Sequence, residues 1–183
     1  MASRRGAVFA QASSRSVAVA HAASLDFVRV EGFAFAHVAD EGIIESSAAS
    51  LLRYRRNIGA DRVQVWADVK KKHSSHAITA DVDIGETAAA AQFMRADAVI
   101  VTGSTTGEEP SGAAIKDVRR CCRLPLLLGS GVTDRNLREL YQHADGFIVG
   151  SYFKKDGHWS QTVDPQRVNQ LMTVHATAQN ASM

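Results

Sequence analysis

Two cysteines are too few and too badly placed to staple this 183-residue chain. Cys121 and Cys122 are adjacent in a stretch that reads as helix, where neighbouring side chains diverge by about 100° and a mutual disulfide is disfavoured. They read as reduced, intracellular thiols. An excess of either charge is also missing: 21 Lys and Arg against 19 Asp and Glu leave a net charge of +2, mostly dispersed, which argues against a polynucleotide partner. No apolar run approaches the ~18 residues of a membrane span, and there is no secretory hydrophobic region. Residues 1–25 lack Asp and Glu altogether but contain Arg4, Arg5 and Arg15, the composition of a mitochondrial transit peptide. The same stretch also suits a helix from Ser14, with Val17, Val19, Ala20 and Ala23 as its apolar positions. The expected location is therefore cytoplasmic or mitochondrial.

What is present is one domain's worth of apolar sequence, 45% hydrophobic, organised around Leu124 to Phe153. Two short apolar runs there, Leu126 to Leu128 and Phe147 to Val149, show no polar alternation, as expected of parallel strands covered on both faces. Each opens at once onto glycine and serine: Gly129, Ser130 and Gly131 after the first, Gly150 and Ser151 after the second. Such loops let backbone N–H groups converge on an anion. One Gly-Ser turn is a weak signal, but two on consecutive βα units match the phosphate site that (β/α)8 barrels build after strands seven and eight.

Along the chain the pattern repeats. Strands are expected near residues 26, 62, 97, 125 and 145. Expected helices are one that Ser46 can cap and Gly59 stops, an alanine-rich one from Gly85 to Arg95 with Phe93 and Met94 facing the core, one from Ser111 to about Cys122, and one from Pro165 to about Met172. Phe33 to Ile44 and Lys70 to Asp83 read as loops. Unbroken βα alternation implies an α/β fold with a parallel sheet and right-handed crossovers. Five strands also suit a free-standing doubly wound sheet, which stays open as an alternative. The expected layout is a basic N-terminal segment and helix over 1–24, the sheet domain over 25–175, and a flexible polar tail over 176–183.

The stretches LDFVRVEGFAFAHVADEGIIESSAASLLRYRRNIGA (25–60), VWADVKKKHSSHAI (65–78), AVIVTGSTTG (98–107), PLLLGSGVT (125–133) and DGFIVGSYFKKDGHW (145–159) together resemble the BtpA family of ribulose-phosphate-binding-barrel proteins, over about Ala18 to Met172. The resemblance implies a partial TIM (β/α)8 barrel, with this chain on strands four to eight and the first three βα units without a counterpart. A complete barrel takes about 250 residues, so a truncated isoform or an incomplete gene model is expected. It further implies binding of a phosphorylated small molecule, a sugar or nucleotide phosphate, with acid/base chemistry at the strand ends. A role of a different class is implied beside it: a non-enzymatic assembly or stability factor, as for the family's namesake in photosystem I biogenesis. A chain this short should also expose sheet edges and inner-face side chains such as Val28, Val65, Ile100 and Ile148, and so form a homo-oligomer or aggregate.

In such barrels the active site lies at the C-terminal ends of the strands, and this order nominates the candidates. Glu31 follows the first strand and is a candidate acid or base; it also suits a solvated loop. His37 with Asp40 and Glu41 is a mixed N/O set for a divalent metal, the one cofactor the sequence hints at. At the second strand end stand Asp68, Lys70, Lys71, Lys72, His73 and His76. Strict alternation puts Asp68, Lys70 and Lys72 on one face and Lys71 on the other, and an inward lysine would bind phosphate or, desolvated, act as an amine nucleophile. Asp68, Lys70 and His73 are the catalytic candidates with Glu31, and Asp68 and Lys70 are expected to serve turnover and not stability. Gly103 and Ser104, within the hydroxyl-rich loop Thr102 to Gly107, join Gly129, Ser130, Gly131, Gly150 and Ser151 as candidate phosphate contacts. Lys154 and Lys155 are candidate counter-charges or solvated loop residues.

Overall fold

Alternating side-chain direction along each strand sorts this sequence into two faces, and a computed structural model, which describes residues 6–8 and 13–181, places them. The expected strands form as β2 (Phe27–Val30), β5 (Gln64–Asp68), β7 (Ala98–Val101), β8 (Leu126–Leu128) and β9 (Gly146–Phe147). A sixth, β1 (Gly6–Val8), pairs parallel to β2, so the sheet has six strands where five were expected. Its three residues are too short to carry a period, and they lie inside a stretch whose arginines drew attention instead. Residues 1–5 and 9–12 of the basic segment, and 182–183 of the tail, lie outside the described residues.

The sheet order is β1-β2-β5-β7-β8-β9, all parallel and strictly sequential. The helices are α1 (Ser13–Ala22), α2 (Ala48–Asn57), α3 (Ile84–Phe93), α4 (Gly112–Cys121), α5 (Leu137–Leu140) and α6 (Pro165–Ala181). Buried residues of all six, among them Val17, Leu51, Ala88, Val118, Leu137 and Leu171, join Val28, Val30, Val65, Ala67, Val99, Val101, Leu126 and Leu128 in one core. The opposite strand parity builds a separate cluster of Phe27, Trp66, Ala98, Ile100 and Leu127, with no helix residue in it among the described residues and with the Phe27 and Trp66 rings stacked 3.4 Å apart. A doubly wound sheet reverses its strand order and carries helices on both faces. This sheet does neither. Val28 and Val65 accordingly sit on the helix side, not on the inner face expected for them, and Ile100 on the inner face is fully buried.

Aspartates one residue ahead of two strands hold the sheet's starts. Asp97 accepts from Val65 N at 2.8 Å and from Arg55 at 3.0 Å, and Asp145 accepts from Leu126 N at 2.8 Å and pairs with Arg119. Ser111 caps α4 by accepting from Ala114 N, as expected. Helix α3 begins in a capping box between Asp83 and Glu86. Ser46 and Ser47 do not cap α2; their hydroxyls donate to Phe33 O and Gly32 O, both at 2.7 Å, and tie the exit of β2 to the helix start. Helix α6 runs on to Ala181, beyond the expected end at Met172, because Leu171 and Ala178 both find buried positions.

Two expected loops are partly sheet. The chain leaves β2 through an antiparallel hairpin, β3 (His37–Ala39) and β4 (Gly42–Ile44), and the β5 exit adds β6 (Ser74–Ser75) to it in the order β4-β3-β6. Gly42, at φ +111°, supplies the turn that Asp40, Glu41 and Gly42 could have signalled. Phe93 is 87% exposed although a core position was expected, because α3 buries Gly85, Thr87, Ala88 and Ala91 and residue 93 falls on the other side of that stripe. Phe93→Ser should therefore shift stability by no more than about 0.5 kcal/mol. Leu51→Ala, at a fully buried position, should cost about 2–5 kcal/mol in urea denaturation.

Candidate functional site

The inner parity brings the ends of β2 and β5 together. Arg29 stands opposite Trp66, one step from Asp68, and donates from Nε to Oδ2 and from Nη2 to Oδ1, both at 2.7 Å. The Asp68 side chain is wholly buried and that of Arg29 is 14% exposed. Burial holds the Asp68 carboxyl above its usual range, and the bonds and charge of Arg29 oppose this only in part. Burial also acts against the Arg29 charge, but the bonds and charge of Asp68 more than offset it and the guanidinium stays protonated. Asp68, expected as a strand-end catalytic residue, is thus held in a buried ion pair, and Arg29 is a candidate that sequence reasoning missed.

The three lysines that follow go to three places. Lys70 and His73 take positive φ, +48° and +56°, so the strict alternation expected of them fails. Lys70 turns back to donate to Thr79 O at 2.9 Å. Lys71 pairs with Glu31 at 2.7 Å, which also accounts for Glu31. Lys72, whose backbone N–H donates to Thr102 Oγ1 at 3.3 Å, lines the main cavity beside Arg29. His73 is exposed and contacts Thr106 Oγ1 at 2.8 Å.

That cavity, about 310 Å³, opens at the C-terminal ends of the strands. Both glycine loops line it, through Gly129, Ser130, Gly131, Gly150 and Ser151. Their residues do different work. Ser130 Oγ accepts from Gly103 N at 2.8 Å and donates to Glu108 O at 2.7 Å, welding the β7 and β8 loops. A Cβ on Gly131, at φ +70°, would lie 2.2 Å from Glu109 N, and one on Gly103 would lie 2.1 Å from Glu108 O, so both glycines are required by close backbone packing. A Cβ on Gly150 would meet nothing within 4 Å. Gly150 and Ser151 lead into a single 3-10 turn, Ser151–Phe153, whose first amides have no partner within the turn. Arg167 of α6 reaches the same wall, its guanidinium 4.4 Å from the Tyr152 ring centre and its Nε donating to Tyr152 O. Nothing at the sequence level marked Arg167, which comes from the far end of the chain. Ser104 is spent on Glu108, and neither it, Gly103, Lys154 nor Lys155 lines the cavity.

Beside the main cavity lies a small polar one of about 10 Å³, the size of one water, lined among others by Glu31, His37, Asp68, Lys71 and His76. His37 is 4% exposed and its Nε2 has no hydrogen-bond partner among the described residues. Burial first, then His76 and Lys71, push its imidazole below the usual range, against Glu31. Asp40 and Glu41, its expected co-ligands, are exposed on the hairpin turn. No group of three His, Cys, Asp or Glu suited to a metal occurs among the described residues.

Residues 7–177 match the profile of the BtpA family. The chain belongs to the BtpA family. Among its relatives are an uncharacterized mitochondrial protein of Caenorhabditis elegans, 45% identical over 90% of this chain and 59% of its own length, and the photosystem I biogenesis protein BtpA of Synechocystis, 32% identical over 88% of this chain and 56% of its own. This BtpA-family chain thus spans less than two thirds of the curated relatives it matches. Its fold is TIM-barrel-like: phosphoribosyl anthranilate isomerase from Thermus thermophilus superposes with a TM-score of 0.59 at 16% identity, over 93% of this chain and 70% of the other. Thiamine phosphate pyrophosphorylase from Pyrococcus furiosus gives 0.54 at 14% identity, over 93% and 67%. Among the described residues no helix is long and apolar enough to cross a membrane.

Asp68→Asn should destabilise this BtpA-family fold by about 3–5 kcal/mol, since it leaves the guanidinium of a buried pair uncompensated, whereas Arg29→Met with Asp68→Leu should recover most of that loss in thermal melts. His37 gives a pH dependence. The unfolded imidazole takes up a proton near 6.5 and the folded one only at lower pH, so stability should be full above about pH 6.5 and fall as pH drops toward the folded value. Urea midpoints at pH 7.5 and 5.5 should differ less in His37→Gln than in the parent.

Proposed function

We propose that the cavity binds a phosphorylated small molecule, with the phosphate against the Gly150 and Ser151 loop and Arg167. The observation that carries this reading is the convergence, on one cavity, of both glycine loops and an arginine that has no carboxylate partner among the described residues. Guanidinium and backbone amides are the donors that phosphate oxygens favour. Two structural neighbours bear names that speak of phosphorylated molecules, a phosphoribosyl compound and thiamine phosphate, which supports the reading at the level of fold. In this reading the six-stranded sheet is part of an eight-stranded barrel of the ribulose-phosphate-binding type, with β8 and β9 at its strands seven and eight.

Acid/base chemistry falls to the groups at the ends of β2 and β5. Of the four residues first nominated, Asp68 holds Arg29, Lys70 holds the Thr79 carbonyl, Glu31 holds Lys71, and His73 lies at the rim. The proposed reactive group is therefore Lys72, with Arg29, held by Asp68, as a fixed positive charge in the same cavity wall. A mitochondrial location is supported by the name of the nematode relative; residues 6–8 and 13–22 of the acid-free stretch belong to the fold as β1 and α1, with Val17 and Ala20 in the core.

A second reading, a non-enzymatic assembly factor, draws on the Synechocystis relative's name and on the small sheet, where Val38 and Ile43 face each other across β3 and β4 at 40% and 71% exposure. Titration calorimetry with a panel of sugar phosphates and nucleotides separates the two. Saturable micromolar binding is expected. Gly150→Asp should abolish it with the melting temperature unchanged, because the new side chain meets open space and sets a carboxylate against the ligand charge. Gly131→Asp is no equivalent test, since it would break the loop packing as well. No binding by the parent chain would favour the assembly role.

A further inference from the structure

The cavity has two chemically distinct ends. The Gly150 loop and Arg167 lie at the exit of β9 and on α6, while Arg29 and Lys72 lie at the exits of β2 and β5. With neighbouring strands about 4.8 Å apart, β5 stands two spacings from β8 and three from β9, so Lys72 is displaced from the anion loops by roughly 10–14 Å along the sheet. Lysine's own reach shortens that gap to the length of a small sugar chain. A ligand with its phosphate at one end therefore presents its other end to Lys72.

What waits there is an amine and not a committed ion pair. Lys70 is bonded to a carbonyl, Lys71 to Glu31, and Arg29 to both oxygens of Asp68. Lys72 Nζ has no hydrogen-bond or ion-pair partner among the described residues. Its backbone is tied to Thr102, just past the end of β7, and lies between the left-handed residues Lys70 and His73. Half-buried and next to a guanidinium that cannot give up its proton, Lys72 is the group that yields. Burial first and Arg29 second lower its pKa, and Asp68 only partly opposes them. A lysine desolvated beside a second cation is the setting in which an amine becomes a nucleophile near neutral pH.

Resting on the phosphate reading above, we propose that Lys72 captures the carbonyl carbon of an aldose or ketose phosphate as an imine. The Nζ lone pair forms the C–N bond while the carbonyl π pair moves to oxygen, and a proton passes from nitrogen to that oxygen to give the carbinolamine. Uptake of one solvent proton lets the hydroxyl leave as water, and the nitrogen lone pair closes the C=N bond as a protonated imine. No oxidant or reductant is consumed. Arg29, held by Asp68, keeps a fixed positive charge beside the nitrogen and so favours its unprotonated form before the attack.

The test is reductive trapping. The whole chain is incubated with ribose 5-phosphate or ribulose 5-phosphate at pH 7, sodium borohydride is added, and peptides are mapped by mass. The expected result is one dominant pentose phosphate adduct on Lys72, suppressed by excess inorganic phosphate and absent in Lys72→Met and Lys72→Arg. Both variants should still bind the pentose phosphates in calorimetry. Arg29→Lys should require a higher pH for half-maximal trapping, because a lysine neighbour can share the proton that Arg29 cannot. Saturable binding without a Lys72 adduct, or an adduct spread over the surface lysines, would overturn the imine and leave the phosphate reading standing. No binding of either sugar phosphate at micromolar to millimolar concentration would remove both.

Discussion

The ion pair between Arg29 and Asp68 is the constraint on which the inner face of the sheet depends. A carboxylate with no solvent exposure is tolerable only with its lone pairs satisfied, and the bidentate guanidinium satisfies both oxygens at once. That pairing ties β2 to β5 across the helix-free face, above the stacked rings of Phe27 and Trp66. It also fixes a permanent cation in the cavity wall while balancing its charge from below. The apolar floor and the polar mouth thus meet at one pair of residues, and the chemistry open to Lys72 follows from that neighbour.

The glycine loops show how one composition serves two purposes. Gly103 and Gly131 pack the β7 and β8 loops against the backbone of Glu108 and Glu109 so closely that no side chain fits at either, and the Ser130 hydroxyl bonds across the two loops. That weld gives the cavity a rigid wall. Gly150, with nothing near its absent side chain, leaves the other wall open to a ligand. Rigid positioning beside open backbone is the arrangement an anion site needs, because donors already in place lose little freedom on binding.

The β4-β3-β6 sheet contributes His37 to the lining of the small polar cavity. It is assembled from two connections separated in sequence by β5, and its formation brings Lys71 to Glu31 and His76 to His37. The lysine run is thereby distributed: one amine pinned to a carbonyl, one to a carboxylate, one left facing the cavity.

From the sequence alone the α/β class, the parallel sheet, five of the six main strands and the two glycine loops were legible, because each rests on a local signal: an apolar run, a cap, a turn residue. The family was legible for the same reason, through five strand-loop stretches that stand together. The faces of the sheet were not. Assigning Val28 and Val65 to the inner side fails by one residue of parity, which only the helices packed on them decide. The partner of Asp68 lies 39 residues away and that of Lys71 lies 40, and Arg167 reaches Tyr152 beside the Gly150 loop from 15 residues further on. Two positive-φ residues, Lys70 and His73, undo the alternation on which a sequence argument about the lysines must rest. Period and composition determine which residues form strands and which strand ends open onto glycine loops, since those depend on neighbours in the chain. Which cation is spent and which stays free depends on charges brought together across the sheet, and that was decided by tertiary structure.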